Sequence, residues 1–260
     1  MIDAVFSETP TLFGMVHIVA FVGILLFNIA VFFLLRRCDE KRLLGILNKL
    51  GLLMIVAEVF KQWFCYVYVF AGELNLWFFP WQLCSMAMYL SFFAVYLKGK
   101  MQMAALVFLA TYSLFADIIA IALPYDMLRP QIALVVHSFA YHGLVITESM
   151  IAMMILSKRP RKEANFGHAT VLFLAMAAIA EVINVVSHAI LNDIHVEPNM
   201  FYITLAYPTT QPLLHDIAVN YGIPVEIVIY LGLLILMSYI VFILWRKIYA
   251  TDKRSKTHTR

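Results

Sequence analysis

Long apolar stretches alternate with short polar ones along the whole chain. A bilayer core of about 30 Å needs roughly 20 apolar residues per helix, and seven stretches reach that length. The predicted spans are residues 11–35, 43–70, 76–97, 101–123, 131–156, 168–191 and 223–247. The pattern predicts an all-α fold, a bundle of seven transmembrane helices in one domain over residues 1–247, followed by a basic tail over residues 248–260.

The composition points to the same class of protein. Of the 260 residues, 63% are hydrophobic and 13% are charged, whereas soluble domains have roughly 45–50% apolar and about 25% charged residues. A soluble fold of this size cannot hide so much apolar surface. The composition therefore excludes soluble enzymes, disordered chains, disulfide scaffolds and nucleic-acid-binding proteins. The three cysteines show no metal-type spacing, so neither a metal nor another cofactor is expected.

The basic residues predict the orientation of the bundle. Of the 19 Lys and Arg residues, 17 lie in the first, third and fifth connections and in the tail. Because basic residues favour the cytoplasmic side, we expect the N-terminus outside and the C-terminus in the cytoplasm of a cell membrane. The long outer connection, residues 192–222, has no Lys or Arg. A connection of this length is typical of an ordered cap or of a lid over a site, and both interpretations stay open.

Ionisable residues inside the predicted spans are the candidates for function, because charge is costly at bilayer depth. A rise of 1.5 Å per residue places most of them in the outer half, which predicts a water-accessible cavity that opens outward. The set comprises His17, Glu58, Lys61, Asp117, His137, His142, Glu148, Glu181, His188 and Glu226, of which only Glu148 lies clearly in the inner half.

Several of these residues have a structural and a functional interpretation. Glu58 and Lys61 stand three residues apart, so they either form a neutralising ion pair on one helix face or leave Lys61 to meet a lipid phosphate. Glu181 and Asn184 belong to a polar stripe that is typical of interhelical hydrogen bonding. Cys84 lies roughly 12 Å below the outer edge, near the depth of His142. It is either a small buried hydrophobe or a nucleophile that is paired with an imidazole base.

Specific motifs identify a family. The stretches FPWQLCSMAMYL around Cys84 and HSFAYHGLV around His142, together with EVFKQW and FGMVHIVAF, resemble the YwaF-like integral membrane proteins, which are related to human transmembrane protein 164. That relative is regarded as an acyltransferase that remodels phospholipids through a cysteine–histidine pair. The resemblance implies a nucleophile at Cys84, a base at His142, a membrane phospholipid or lysophospholipid as substrate, and a bacterial plasma membrane as the location.

Acyl transfer through a Cys84 thioester is the leading hypothesis. Its tetrahedral intermediate needs hydrogen-bond donors, and either Glu58 or Glu181 is expected to orient His142. The candidate donors are Gln82, Ser85, His137 and Asn184, and His17 completes the predicted cavity residues. The alternatives are a proton-coupled transporter or ligand-binding protein, and an inactive scaffold. Against a transporter, the pattern shows no inverted repeat and no span that is visibly broken by Gly or Pro.

Overall fold

The computed structural model of the protein describes residues 3–190 and 198–257, and side chains up to residue 248. The side chains of the predicted tail, residues 249–260, lie outside this description. All regular elements in the described ranges are helical. They are α1 (Met15–Leu35), α2 (Glu40–Phe64), α3 (Ser85–Phe93), α4 (Gly99–Phe108), α5 (Leu114–Ala122), α6 (Ile132–Lys158), α7 (Phe166–Ile190), α8 (Leu214–Tyr221) and α9 (Ile223–Thr257).

Two π-helical segments lengthen these helices. Cys65–Val69 continues α2, and Leu109–Ser113 joins α4 to α5 in one rod. Six helices in the described ranges are long and apolar enough to cross a membrane: Met15–Leu35, Glu40–Val69, Gly99–Ala122, Ile132–Lys158, Arg161–Ile190 and Ile223–Ile248. The all-α prediction is confirmed, and six of the seven predicted spans correspond to these helices.

The predicted third span, residues 76–97, is not a continuous helix. A short 3-10 turn at Leu76–Phe78 is followed by irregular backbone over residues 79–84 and then by α3, whose nine residues cover about 14 Å, roughly half of a bilayer core. Proline at position 80 explains the break, because it removes a donor and drives the preceding residue into extended backbone. Phe79 has that conformation, with φ −56° and ψ 132°. The expectation that no span is broken by Gly or Pro is therefore wrong here.

Side chains satisfy the irregular backbone of this third segment. The Gln62 amide donates a hydrogen bond to the Phe78 carbonyl, and the Tyr89 hydroxyl donates to the Pro80 carbonyl over 3.1 Å. Non-helical backbone at membrane depth is tolerated only where protein buries it or where it lines a water-filled space. Contacts with other side chains therefore hold the backbone that leads directly to Cys84.

The third segment runs back along α2. At its start it contacts Gln62, and near its end Asn48 Nδ2 of α2 donates a 2.6 Å hydrogen bond to the Phe92 carbonyl. Gly51 allows this close approach, since a Cβ atom there would lie 2.4 Å from the Phe92 backbone nitrogen. The Gln102 amide donates to the Ala94 carbonyl over 2.7 Å. The segment thus follows α2 over most of its length although only its second half is helical.

The helices differ sharply in burial. The rod formed by α4 and the following π segment is buried at every residue from 102 to 113, so it is the centre of the bundle. In contrast, α1 buries only His17 and Asn28, as expected of a helix that faces lipid. Asn28 Nδ2 donates to the Gly143 carbonyl over 3.2 Å. This polar contact joins α1 to α6 beside the apolar packing of Val16, Ala20 and Ile24.

The predicted outer connection, residues 192–222, is partly described. Residues 192–197 lie outside the described ranges, whereas the rest contains a 3-10 turn at Met200–Tyr202 and the short helix α8, which packs against α9. The described part of the connection is therefore ordered and folds onto the bundle.

Candidate active site

Cys84 lies directly after the break in the third segment. It is the N-cap residue of α3, and it is a free cysteine that is half-buried as a residue. The N-terminus of a helix carries partial positive charge. The broken span thus gives Cys84 a setting that a continuous helix would not provide.

His142 is paired with a buried carboxylate. Its Nδ1 donates a 2.5 Å hydrogen bond to Oδ1 of Asp117, whose side chain is fully buried, while the imidazole is 13% exposed. The bond fixes the neutral tautomer that carries its proton on Nδ1 and leaves Nε2 as the basic nitrogen. Within the described part of the chain, Nε2 makes no hydrogen bond. The arrangement is that of an oriented general base.

The sequence places Asp117 among the intramembrane candidates but does not predict it as the partner of His142. Its position marks it as an intramembrane carboxylate, but Glu58 and Glu181 are the residues that the sequence predicts as partners of His142. The π segment Leu109–Ser113 ends one turn before Asp117, and such segments frequently occur at functional sites. Estimated depth does not find the pair either, since residue counting places Asp117 roughly 9 Å and His142 roughly 16 Å below the outer edge.

Cys84 and the Asp117–His142 pair belong to neighbouring elements, because α3 packs against α6. The Asp117 carboxylate acts on the Cys84 thiol electrostatically, and the hydroxyl of Ser85 faces that thiol. In the described ranges no hydrogen bond joins Cys84 to His142. Their pairing as nucleophile and base therefore stays a prediction that rests on this proximity.

Glu58 and Lys61 form the predicted ion pair on α2. Lys61 Nζ lies 2.7 Å from Glu58 Oε1, and Gln62 Nε2 donates to the same oxygen over 2.7 Å. The side chains of Lys61 and Glu58 are 17% and 5% exposed. The ion pair that the spacing predicts is present, and Glu58 contacts its own helix rather than His142.

Gln82 and Asn184 hold one loop from two sides. Gln82 Nε2 donates to the Asn199 carbonyl over 3.0 Å, and its Oε1 accepts from the Phe201 backbone nitrogen over 2.9 Å. Asn184 Oδ1 accepts from the Met200 nitrogen over 2.6 Å, and its Nδ2 donates to the Met200 carbonyl over 3.2 Å. Both amides are engaged with backbone: Gln82 attaches the outer connection to the Cys84 segment, and Asn184 attaches it to α7.

The attached loop enters the bundle. Phe201 is fully buried and packs against Phe173, although its backbone adopts a φ of 59°. Tyr202 Oη donates a 2.7 Å hydrogen bond to Asp126 Oδ2, which also accepts from Gln211 over 3.0 Å. Burial and the nearby Asp126 carboxylate raise the pKa of Tyr202 well above its usual value, so this hydroxyl remains a donor at neutral pH.

The other candidate histidines bind backbone carbonyls. His137 Nε2 donates to the Ala57 carbonyl over 3.1 Å, and His17 Nε2 donates to the Ile121 carbonyl over 2.9 Å. Each imidazole joins two helices, as polar side chains commonly do in membrane bundles. In the described structure these contacts occupy Nε2 of both rings.

Two further carboxylates lie away from His142. Glu181 Oε2 accepts from Asn184 over 3.1 Å, which connects it to the loop attachment. Glu226, in the first turn of α9, is 1% exposed and its Oε1 has no hydrogen-bond partner in the described ranges. It acts electrostatically on Tyr230, which is also influenced by Cys84. A side chain of α9 thus approaches the cysteine, which spacing along the sequence did not indicate.

These features define a multi-pass α-helical membrane protein with a free cysteine and an oriented histidine in adjoining elements. The chain belongs to the TMEM164 family, whose sequence pattern matches residues 12–249. This match confirms the resemblance carried by the Cys84 and His142 motifs. Neither a curated protein nor a solved structure matches the chain.

Proposed function

We propose that the protein transfers acyl chains between membrane phospholipids, with Cys84 as the nucleophile and His142 as the general base. The observation that carries the proposal is the hydrogen bond between His142 and the buried Asp117, which leaves Nε2 available in a ring that keeps exposed surface. Membership of the TMEM164 family supports a membrane protein of this kind.

The first half-reaction moves the acyl chain to the protein. His142 Nε2 accepts the thiol proton, and Cys84 Sγ attacks the carbonyl carbon of a phospholipid ester. The bond between that carbon and the glycerol oxygen breaks, and His142 returns the proton to the departing oxygen. A lysophospholipid leaves, and a thioester remains on Cys84.

The second half-reaction regenerates the thiol. The hydroxyl of another lysophospholipid gives its proton to His142 and attacks the thioester carbonyl. The carbon–sulfur bond breaks, and the thiolate recovers the proton from His142. Asp117 stabilises the imidazolium that forms in both steps. The cycle is balanced in atoms and electrons without a further reactant.

Ser85 is the proposed side-chain donor to the tetrahedral intermediate. Among the four predicted donors, Gln82, His137 and Asn184 already donate to backbone carbonyls. The Ser85 hydroxyl makes no such contact in the described ranges and faces the Cys84 thiol. A donor in that place stabilises negative charge that develops on the carbonyl oxygen.

The proposal includes seven membrane crossings with the N-terminus outside. The third crossing would be the broken segment, which follows α2 from Gln62 back to Asn48. The N-terminal residues and the connection before α6 lie at the same end of the bundle, because Val5 pairs with Gln131 and the Phe6 nitrogen donates to the Pro130 carbonyl over 2.9 Å. The distribution of Lys and Arg then orients that end away from the cytoplasm.

Acyl exchange in reconstituted bilayers tests the reaction. Purified protein is given an isotope-labelled phospholipid and an unlabelled lysophospholipid, and Cys84→Ala is compared with Cys65→Ala. Cys65 is a matched control because it is also a free thiol in the bundle. We expect exchange to fall to background only in Cys84→Ala, and mass spectrometry of the wild type to find an acyl thioester on Cys84. Full exchange in Cys84→Ala would exclude the proposed reaction.

A carrier is the second candidate, and the broken third segment favours it. Interrupted helices with irregular backbone at membrane depth line the substrate sites of many secondary transporters. Substrate counterflow in vesicles separates the two functions. Counterflow that persists in Cys84→Ala, without acyl exchange in the wild type, would support the carrier.

A further inference from the structure

Glu148 of α6 is a carboxylic acid that the proposed reaction does not use. Its side chain is fully buried, and neither carboxylate oxygen has a hydrogen-bond partner in the described ranges. An isolated carboxylate in such surroundings is strongly unfavourable if it stays charged. It must therefore be neutralised by something that binds to it.

Three buried hydroxyl groups lie on elements that pack against one another in this part of the bundle. Ser91 of α3 faces Glu148, and Tyr141 lies two turns away on the same face of α6 and interacts with it electrostatically. Ser113 ends the π segment that packs against α3 and α6. All three hydroxyls are buried, and none of them makes a hydrogen bond of ordinary geometry among the described residues. We define Ser91, Ser113, Tyr141 and Glu148 as the inner polar cluster.

The cluster continues toward the His142 site. Ser113 precedes Asp117 by one helical turn, and Asp117 acts on Glu148 electrostatically. While Oδ1 of Asp117 binds His142, its Oδ2 is buried without a hydrogen-bond partner in the described ranges. The free oxygen therefore belongs to the same unsatisfied region as the cluster.

A proton and internal water satisfy these groups best. Buried polar atoms nearly always have hydrogen-bond partners, and buried water commonly supplies them by bridging two to four such atoms. In the described ranges no group of three or more His, Cys, Asp or Glu side chains is arranged to hold a metal ion. Glu148 also has no ion pair with Lys or Arg there, and Asp117 and Tyr141 are the titratable groups that face it.

We propose that Glu148 is a proton-binding site and that water in the inner polar cluster connects it to Oδ2 of Asp117. The Asp117–His142 pair would then exchange protons with the inner half of the bundle as well as with its own exposed side. The inference concerns this pair alone, so it does not depend on acyl transfer being the reaction.

Infrared spectroscopy of the protein in lipid nanodiscs tests the proposal at neutral pH. We expect a carbonyl-stretch band of a protonated carboxylic acid that shifts in D₂O and disappears in Glu148→Gln. The control variant Glu163→Gln, which removes an exposed carboxylate, should leave the band unchanged. Asp117→Asn should shift the frequency of the band, because water links the two acids.

Several results would overturn the proposal. A spectrum without a Glu148-dependent band shows that Glu148 is ionised, and a band that appears only when sodium is removed shows that a cation neutralises it. A band that does not exchange in D₂O excludes the water connection. If Glu148→Gln does not fold, Ser91→Ala provides the assignment, since loss of a neighbouring hydroxyl must shift the Glu148 frequency.

Discussion

Glu58 and Asp117 are carboxylates in the predicted outer half of the bundle, and their surroundings differ in kind. Glu58 contacts Lys61 and Gln62, which lie three and four residues along the same helix. Asp117 contacts His142, which is 25 residues away on another helix. The first carboxylate is neutralised by a fixed positive charge, whereas the second one orients a titratable ring.

The difference separates a structural pair from a chemical one. The ammonium group of Lys61 has no lone pair with which to accept a proton. Gln62 donates to the same Glu58 oxygen that Lys61 contacts. An imidazole held through Nδ1 keeps a second nitrogen for proton transfer. The comparison predicts that changes at Asp117 affect rate, while changes at Glu58 or Lys61 affect stability.

The largest effect is expected for Asp117→Asn. The amide can present a donor to Nδ1 and thereby select the wrong tautomer of His142, so acyl exchange should fall by about 10²- to 10⁴-fold. Initial rates in reconstituted bilayers measure the effect. The matched change Glu58→Gln should cost far less activity per folded molecule, and equal losses in the two variants would contradict the comparison.

A loss of stability is expected for Lys61→Met. The change removes the ammonium group and leaves Glu58 without its counter-charge, which should lower the free energy of unfolding by about 3–5 kcal/mol. Reversible unfolding in bilayer-like micelles measures this free energy. The double variant Glu58→Gln/Lys61→Met should recover most of the loss. Reduced acyl exchange in folded Lys61→Met protein would instead indicate that Lys61 meets the lipid phosphate.

The smallest effect is expected for His137→Leu. This histidine donates to the Ala57 carbonyl, and a single hydrogen bond between membrane helices contributes about 0.6–1.7 kcal/mol. Thermal unfolding should therefore shift slightly, with exchange close to wild type. His142→Leu is the comparison variant and should lose nearly all exchange. A large loss of exchange in His137→Leu would place that ring in the reaction.

Local spacing explains which of these features were predictable. The Glu58–Lys61 pair follows from helix geometry, because residues three apart share a face. The position of Cys84 near His142 in depth follows from counting residues along spans, and their motifs identified the family. In contrast, the apolar pattern over residues 76–97 predicts one continuous helix. An irregular segment that is buried in protein is as apolar as a spanning helix, so the pattern does not distinguish the two.

Long-range packing explains what stayed hidden. Asp117 was visible as a buried acid, but only the packing of α5 against α6 selects His142 as its partner. Gln82 was a candidate donor because it precedes Cys84, yet its amide binds the loop at Asn199 and Phe201. A polar side chain at bilayer depth must find some partner, and composition does not say which one.

The sequence by itself determined that this is an apolar, multi-helix membrane protein of the TMEM164 family with scarce charge sorted along its length. Those properties follow from residue counts, helix periodicity and motifs, which do not depend on which residues are close together in space. Tertiary structure decided that the third segment is broken before Cys84 and that Asp117 holds His142. Both depend on which helices pack together, because hydrogen bonds join atoms that are close in space and not in sequence.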